Sequence, residues 1–251
     1  MVIWGDYHTH TTFSHGKGTI LENALVAQQK GLKEIAITDH GFSHKMFGVK
    51  RKNIPLMRKL CDEATQKTGV KVYLGIEANI ISSKGDIDLT EEEIKMLDLI
   101  IVGYHKTAKA KSVKEFFRYI LPNNVKLFRT KKTIQINTNA LIRSIEKYPI
   151  DIISHPGVGN PVDILSVGQV AKKYGTKMEI NGKRIAYTKN DIENLVENNV
   201  EFILSSDAHS SQRVGECNKG HNFMFVHNIP KKLISNLGRR PNFRHCKGEK
   251  D

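Results

Sequence analysis

Short, continuous apolar runs recur along this sequence, and most are followed by a segment whose apolar residues recur at helical spacing. Runs that are apolar throughout are typical of strands buried on both faces, as in a parallel sheet covered by helices. The repeated strand and helix units therefore predict an α/β fold. Seven such strands favour a closed or distorted barrel over an open sheet. The predicted strands are 2–7, 35–37, 70–76, 99–102, 150–153, 177–180 and 202–204.

The segments between these strands carry signals for the start and end of helices. Thr90 followed by Glu93 is a capping-box pattern, and Gly31 and Gly69 each follow a run with helical spacing. The predicted helices between barrel strands are 19–30, 54–68, 89–97, 162–173 and 189–198.

Two regions depart from this rhythm. The stretch 106–149 contains two predicted helices, 112–120 and 132–147, which we expect to be separated by a break at 122–124. It would form a lid, a subunit contact or a pair of outer helices. After the last barrel strand we predict a short strand at 223–226 and a final helix at 230–237.

The chain of 251 residues fits a single barrel domain without an interdomain linker. We assign residues 1–238 to the barrel and 239–251 to a basic C-terminal tail, since that tail has no apolar periodicity. The formal net charge of +13 favours anionic partners. A small phosphorylated substrate fits this charge, and nucleic acid is the less favoured partner. The oligomeric state is left open by the sequence.

The sequence also bears on location. No apolar run approaches the ~20 residues that span a bilayer, so no membrane partner is expected. No secretory signal is visible at the N-terminus. The three cysteines, Cys61, Cys217 and Cys246, form no CxxC pair, which suits free thiols in a reducing compartment. We therefore predict a cytoplasmic protein.

Residues that can ligate metals fall at the carboxyl ends of the predicted strands. His8 and His10 are two residues apart in an extended segment, so their side chains point to the same face. Seven of the eleven histidines lie at or just after such strand ends, which is where α/β barrels build their sites. Imidazoles with two carboxylates are ligands for zinc, iron or manganese. We predict a polynuclear metal site formed by His8, His10, His15, His40, Glu77, His105, His155, Asp207 and His209.

The order of these residues resembles the polymerase and histidinol phosphatase (PHP) family. Its members share an HxH motif, a later DH, a glutamate, two further histidines and a terminal DxH. In this sequence these read His8-Thr9-His10, Asp39-His40, Glu77, His105, His155 and Asp207-Ala208-His209. The match extends from Asp6 to His209. The resemblance implies a distorted, TIM-like (β/α)7 barrel with three divalent metal ions, zinc being expected and manganese or iron the alternatives.

The family's ligand set further implies how these residues would divide among the metals. One metal would be held by His8, His10 and Asp207, a second by His105 and His155 with Glu77 as a bridge, and the third by His15, His40 and His209.

The resemblance implies hydrolysis of a phosphate monoester on a small molecule. Metals a few ångströms apart can bind a phosphoryl oxygen and activate a bridging water as hydroxide. Asp39, beside His40, would orient the ligand shell or accept a proton, or it would only cap the following loop. The candidate phosphate-binding residues are Lys183, Arg184 and Arg213, in loops after the last two strands. Other candidates to line the pocket are His44, Tyr104, Lys106 and His221.

Three other functions use the same residues. A phosphodiesterase or nuclease would combine the metal site with the basic surface. A metallohydrolase that cleaves C–N bonds is the second alternative, although we find no lysine at the ligand positions that could be carbamylated. A metal-binding protein without catalysis is the third, and the complete set of nine candidate ligands argues against it.

Overall fold

Seven parallel strands lie side by side in chain order in the computed structural model of this protein, which describes residues 2–245. Each strand pairs with the next one along the chain. Thr9 forms a parallel bridge with Ala208, which brings the last strand beside the first and leaves a nearly closed barrel. The strands are β1 Gly5–Thr9, β2 Glu34–Ile37, β3 Lys71–Asn79, β4 Leu99–Gly103, β5 Ile152–Ile153, β6 Lys177–Asn181 and β7 Phe202–Ser205. The predicted α/β barrel is confirmed.

Helices connect the strands, and several of them begin where the sequence supplies a cap. Thr19, Thr90 and Thr188 each accept a backbone hydrogen bond in a reciprocal capping box. The helices are α1 Ile20–Gln29, α2 Ile54–Thr68, α3 Glu91–Met96, α4 Val113–Glu115, α5 Leu121–Asn124, α6 Lys131–Lys147, α7 Ile164–Tyr174, α8 Lys189–Glu197 and α9 Asn218–Val226. A π-helical turn, Phe116–Ile120, joins α4 to α5.

The apolar core has two parts. The larger part lies between the strands and the surrounding helices and includes Met57 of α2 and Leu195 of α8. The smaller part consists of strand residues facing away from the helices, inside the barrel. Its members are Tyr7, Ala36, Tyr73, Leu99, Ile101, Ile152 and Ile203.

Part of the predicted basic tail covers the amino ends of the strands. Phe243 packs edge-on against Tyr7, with ring centroids 4.9 Å apart. Arg240 Nε lies 2.8 Å from Glu34 Oε1, and its Nη2 donates to the Tyr73 hydroxyl at 2.7 Å. The described part of the tail, through residue 245, therefore closes the barrel at the end opposite the strand termini that carry the candidate ligands. Residues 246–251, with Cys246, lie outside the described residues.

Three local predictions were wrong. Residues 223–226 end helix α9 and form no strand. Met224 is buried, whereas Phe225 and Val226 are exposed. A short apolar run is compatible with either a strand or a helix, so the sequence pattern does not distinguish them. The segment 230–237 contains only a 3-10 turn, and its Ile234 bridges to β7. Pro122 breaks no helix, because it lies in the first turn of α5, where no N–H is needed.

Among residues 2–245, none of the helices combines the length and apolar character needed to cross a bilayer. Cys61 and Cys217 are buried, free thiols.

Candidate metal centre

The carboxylate of Glu77, near the end of β3, lies among imidazoles from the other strand ends. Its Oε1 lies 3.1 Å from His155 Nε2 and 3.5 Å from His8 Nε2. Its Oε2 lies 2.9 Å from His40 Nδ1 and 3.3 Å from His105 Nε2. His10 Nε2 also lies 3.8 Å from Oε2. The two oxygens therefore face different sets of histidines, so this carboxylate would be able to hold ions on both of its sides.

Asp207, just after β7, faces the same cluster from the other side. Its Oδ1 lies 3.4 Å from His10 Nε2 and 3.9 Å from His8 Nε2. The two imidazoles point the same way, as the strand alternation predicts, and their Nε2 atoms are 3.1 Å apart. The ring of His209 lies 4.2 Å from that of His10. The HxH and DxH motifs therefore meet across the seam between the first and last strands.

His15 reaches the cluster from the loop after β1. Its ring stacks on His40 with centroids 4.8 Å apart, and it meets His209 edge-on at 4.2 Å. The structure thus brings all nine predicted metal-ligating residues to one rim of the barrel.

The described His, Asp and Glu side chains form three groups whose ligand atoms lie within 4.8 Å of one another. These groups are His8, His10 and Asp207; His10, His40 and His209; and His40, Glu77 and His105. The first is the trio that the family resemblance implies for one metal. The second group contains His10 where the resemblance implies His15, and the third contains His40 where it implies His155. The assignment of ligands to individual ions therefore stays a prediction.

Buried polar atoms without a partner show that the cluster fits a metal. Within residues 2–245, His10 Nδ1, His40 Nδ1 and both Glu77 oxygens have no hydrogen bond. His40 Nδ1 approaches Glu77 Oε2, but the two atoms are not aligned for one. Unpaired buried polar atoms are rare because they are costly. Divalent cations would satisfy the carboxylate oxygens, and N and O donors are those that zinc and related metals accept.

Metal binding needs ionised carboxylates and neutral imidazoles, and both carboxylates of the cluster are held in the ionised form. Burial would raise the pKa of Glu77, but nearby imidazoles, His105 first, hold that pKa well below its ordinary value. Burial likewise opposes ionisation of Asp207, and His8 and His10 hold its pKa well below normal.

Burial lowers the pKa of His40 to about 3, so this imidazole is neutral at pH 7. Burial opposes protonation of His8 and His155, but Glu179 beside His8 and Glu77 beside His155 raise the pKa of these imidazoles above the ordinary value, so a bound ion would displace protons from them.

Two candidate ligands have unusual backbone conformations. His155 has a φ of 30° and Asp207 a φ of 52°, a region that costs non-glycine residues about 1–3 kcal/mol. Gly103, at the end of β4, leaves the space beside His155 open, since a Cβ there would clash with the Ser154 hydroxyl and lie 3.3 Å from Glu77 Oε1 and 3.4 Å from His155 Cε1. The strand ends are therefore held in a shape that the local sequence does not favour.

Glu179 of β6 is a site residue that the sequence analysis missed. It is fully buried, and its Oε1 lies 2.7 Å from His8 Nδ1. Its Oε2 accepts hydrogen bonds from the His155 backbone N–H at 2.6 Å and from Asn181 Nδ2 at 2.9 Å. A carboxylate oxygen accepts hydrogen bonds, so this contact suits a proton on His8 Nδ1 and leaves His8 Nε2 facing the cluster. The available signal was an acidic residue inside an apolar strand.

We predict that Glu179→Gln lowers metal affinity about 10- to 100-fold. The glutamine amide has only one oxygen, so if this oxygen accepts from the His155 backbone N–H, the NH2 group faces His8 Nδ1 and favours the other tautomer of His8. Competition with a chromophoric chelator would measure this affinity. Glu197→Gln, an exposed change on α8, is the matched control. Equal affinities in the two variants would contradict the role of Glu179.

Asp39 is fully buried behind the cluster, and its described contacts all go to the loop that carries His15. Its Oδ1 accepts from the Thr11 backbone N–H at 2.7 Å and from the Ser14 hydroxyl. Its Oδ2 accepts from Thr11 Oγ1 at 2.5 Å. Burial raises the pKa of Asp39 to about 6, against these hydrogen bonds. This geometry suits a positioning residue, and the predicted catalytic role stays a prediction.

The three predicted phosphate-binding residues lie in different surroundings. Lys183 Nζ contacts His209 Nδ1 and lies 3.4 Å from Asp207 Oδ1. Arg184 lines the cavity above the cluster. Arg213 is paired with Glu216, its Nε lying 3.1 Å from Oε2, and does not line that cavity. Lys183 therefore lies beside two candidate ligands. This position weakens the sequence argument against a C–N metallohydrolase, which relied on the absence of a lysine at the ligand positions.

A cavity of about 410 Å³ opens above the cluster. Three of the candidate metal ligands that line it are Glu77, Asp207 and His155. Three of the four additional pocket residues suggested by the sequence, His44, Tyr104 and Lys106, line it, and His221 does not. The insertion after β4 borders the cavity, since Asn124 of α5 donates to the Lys106 carbonyl at 3.0 Å.

Comparisons with known proteins agree with this geometry. A family model described as the PHP domain matches residues 6–158. A protein named "probable phosphatase" from Caldanaerobacter subterraneus subsp. tengcongensis is 32% identical over 246 residues, covering 92% of this chain and 86% of the relative. A second "probable phosphatase", from Thermoanaerobacter sp., is 33% identical over 241 residues, covering 92% and 89%.

The fold is similar to that of a solved histidinol phosphate phosphatase from Lactococcus lactis subsp. lactis, a complex with zinc, L-histidinol and phosphate. The TM-score is 0.59, with 14% identity, and the match covers 90% of this chain and 94% of the other. At this identity the likeness shows a shared fold.

Proposed function

This chain belongs to the PHP family, whose members are metal-dependent phosphoesterases, and we propose that its own substrate is the phosphate monoester of a small molecule. The observation that carries the proposal is the Glu77 carboxylate, whose two oxygens face different histidines at the floor of the cavity. A volume of about 410 Å³ lies within the range of small-molecule sites, roughly 300–1,000 Å³.

The proposed cofactor is a set of three divalent ions, with zinc expected. The candidate ligands are the nine residues that the structure brings to one rim: His8, His10, His15, His40, Glu77, His105, His155, Asp207 and His209. When bound, such ions supply Lewis-acid activation of water and charge stabilisation at a phosphoryl oxygen. Zinc in the Lactococcus structure supports this choice of metal.

The protein's own side chains would bind and orient the ester. Lys183, held between Asp207 and His209, places an ammonium group at the edge of the cluster, where it can bind a phosphoryl oxygen. Asp39 would hold the Thr11–Ser14 loop, and with it His15, in place. Arg184 is close enough to act on a bound substrate, whereas Arg213 would first have to leave Glu216. A cytoplasmic location is also part of the proposal.

The test is metal analysis of the purified protein with p-nitrophenyl phosphate hydrolysis before and after chelation. We expect close to three ions per chain, loss of activity on chelation, and recovery with zinc or manganese. A full metal load with no hydrolysis of this ester but cleavage of bis(p-nitrophenyl) phosphate would favour the phosphodiesterase alternative. Less than one tightly bound ion per chain would contradict the proposed site.

A further inference from the structure

The charged side chains that line the cavity differ in sign between its floor and its outer wall. The carboxylates among its lining residues are Glu77 and Asp207, and both face histidines at the floor. The charged side chains that line it outside the metal cluster are Lys106 and Arg184. Within residues 2–245, the outer cavity therefore offers positive charge and no carboxylate that could pair with a cation on a substrate.

Neither outer cation has a side-chain partner among the described residues. In the part of the chain that the structure describes, no carboxylate forms an ion pair with Lys106 or Arg184. By contrast, the nearby Arg213 is paired with Glu216, and Lys183 contacts Asp207. Cations that line a cavity without a protein partner are suited to bind an anionic group of a ligand.

The backbone on both sides is fixed, so the two cations have defined origins. The Lys106 carbonyl accepts from Asn124 Nδ2 at 3.0 Å, and the Arg184 N–H donates to Asn181 Oδ1 at 3.0 Å. The side chain of Lys106 leans along the cavity wall, with Cε 3.9 Å from where a Cβ on Gly159 would lie. Lys106 follows β4 and Arg184 follows β6, the strands on either side of β5, and the ends of these two strands are separated by about two strand spacings, roughly 10 Å. Both long side chains can reach a group between them.

We infer that the substrate carries a second anionic group, a carboxylate or a second phosphate, which Lys106 and Arg184 bind while its phosphate ester lies on the metal cluster. This inference rests on the proposed phosphomonoesterase function and narrows it. Esters whose other end is an ammonium group, as in histidinol phosphate or phosphoethanolamine, fit this cavity poorly because none of the described residues of its outer wall offers a carboxylate to that group.

The test compares three primary alkyl phosphates with the metal-loaded protein. These are 3-phosphoglycerate with a carboxylate, glycerol 3-phosphate with a neutral end, and phosphoethanolamine with an ammonium group. We expect kcat/KM to be about tenfold higher for 3-phosphoglycerate than for glycerol 3-phosphate, the effect of one well-placed charged hydrogen bond, and lowest for phosphoethanolamine. Fructose 1,6-bisphosphate against fructose 6-phosphate gives the same comparison for a second phosphate and separates the two sources of charge.

The double variant Lys106→Ala/Arg184→Ala tests whether these side chains cause the preference. The ratio of kcat/KM for 3-phosphoglycerate to that for glycerol 3-phosphate should fall toward one, mainly through KM. Lys109→Ala, an exposed change in the same loop that does not line the cavity, should keep the wild-type ratio. A double variant that keeps the preference would overturn the assignment to these residues.

Failure of the inference can be told apart from failure of the proposed function. If the esters are hydrolysed but neither anionic member of a pair is preferred, the second-anion inference is wrong and the phosphomonoesterase function stands. If no ester is hydrolysed, the function fails, and calorimetric binding of 3-phosphoglycerate and glycerol 3-phosphate still decides the inference. Tighter binding of the carboxylate ester would support it, and equal or weaker binding would overturn it.

Discussion

Replacing Glu77 by glutamine is expected to lower kcat/KM for p-nitrophenyl phosphate about 1,000-fold or more, the equivalent of ~4 kcal/mol of lost stabilisation. Glutamine keeps the size of the side chain but removes its charge, and one of its two ends becomes a donor that cannot ligate a metal. Since the two oxygens face different histidines, both sides of the cluster lose an anionic ligand. Metal content should fall together with activity.

The matched control is Glu91→Gln, an exposed glutamate at the start of α3. It should keep wild-type activity and metal content. Circular dichroism of both variants would show whether the barrel has formed. A folded Glu77→Gln protein with full metal load and wild-type turnover would show that the cluster around Glu77 is not the active centre.

The second large effect is expected at Asp39, where Asp39→Ala should reduce kcat/KM about 100-fold and lower metal occupancy. The reason is mechanical: Asp39 accepts hydrogen bonds from Thr11 and Ser14, and without it the loop that carries His15 loses its anchor. Buried donors left without a partner also cost about 1–3 kcal/mol of folding stability. Activity, metal content and the free energy of unfolding should therefore all decrease.

Thr11→Val separates a positioning role from proton transfer by Asp39. It removes one donor to the carboxylate and leaves the carboxylate in place, so a positioning role predicts a smaller loss of activity and metal in the same direction. Asp62→Ala, an exposed change on α2, is the control. If Asp39→Ala instead keeps its metals, loses activity together with one limb of the pH profile, and Thr11→Val is silent, Asp39 transfers a proton.

The sequence was informative about the ligands because the barrel fold places all strand carboxyl ends on one rim. His8, His40, His105 and His155 are far apart in the chain, yet each follows an apolar run, so topology alone predicts that they meet. The capping box at Thr90 depends only on residues three positions apart, which is why the start of helix α3 could be predicted closely. Helix α1 was predicted from its apolar spacing and from Gly31 after it, which are also local signals.

Features that depend on tertiary contacts were beyond sequence reasoning. Glu179 looks like any polar residue in a strand until its carboxylate is seen against His8 and the His155 backbone. The residues around Arg240 and Phe243 have the sequence pattern of a free basic tail. Their packing depends on contacts with Glu34 and Tyr7 in the barrel, which are distant in sequence. Helix α9 was missed because four apolar residues in a row fit a strand as well as a half-buried helix turn.

The most direct test of the metal centre is a crystal structure of the protein as purified, with anomalous data collected on both sides of the zinc absorption edge. We predict anomalous peaks between Glu77 and the surrounding histidines, with metal–nitrogen distances of about 2.0–2.1 Å to imidazoles such as those of His8 and His155. Metal-loaded crystals with no anomalous peak within bonding distance of Glu77 would contradict the account of this protein as a metal-dependent phosphatase built on that carboxylate.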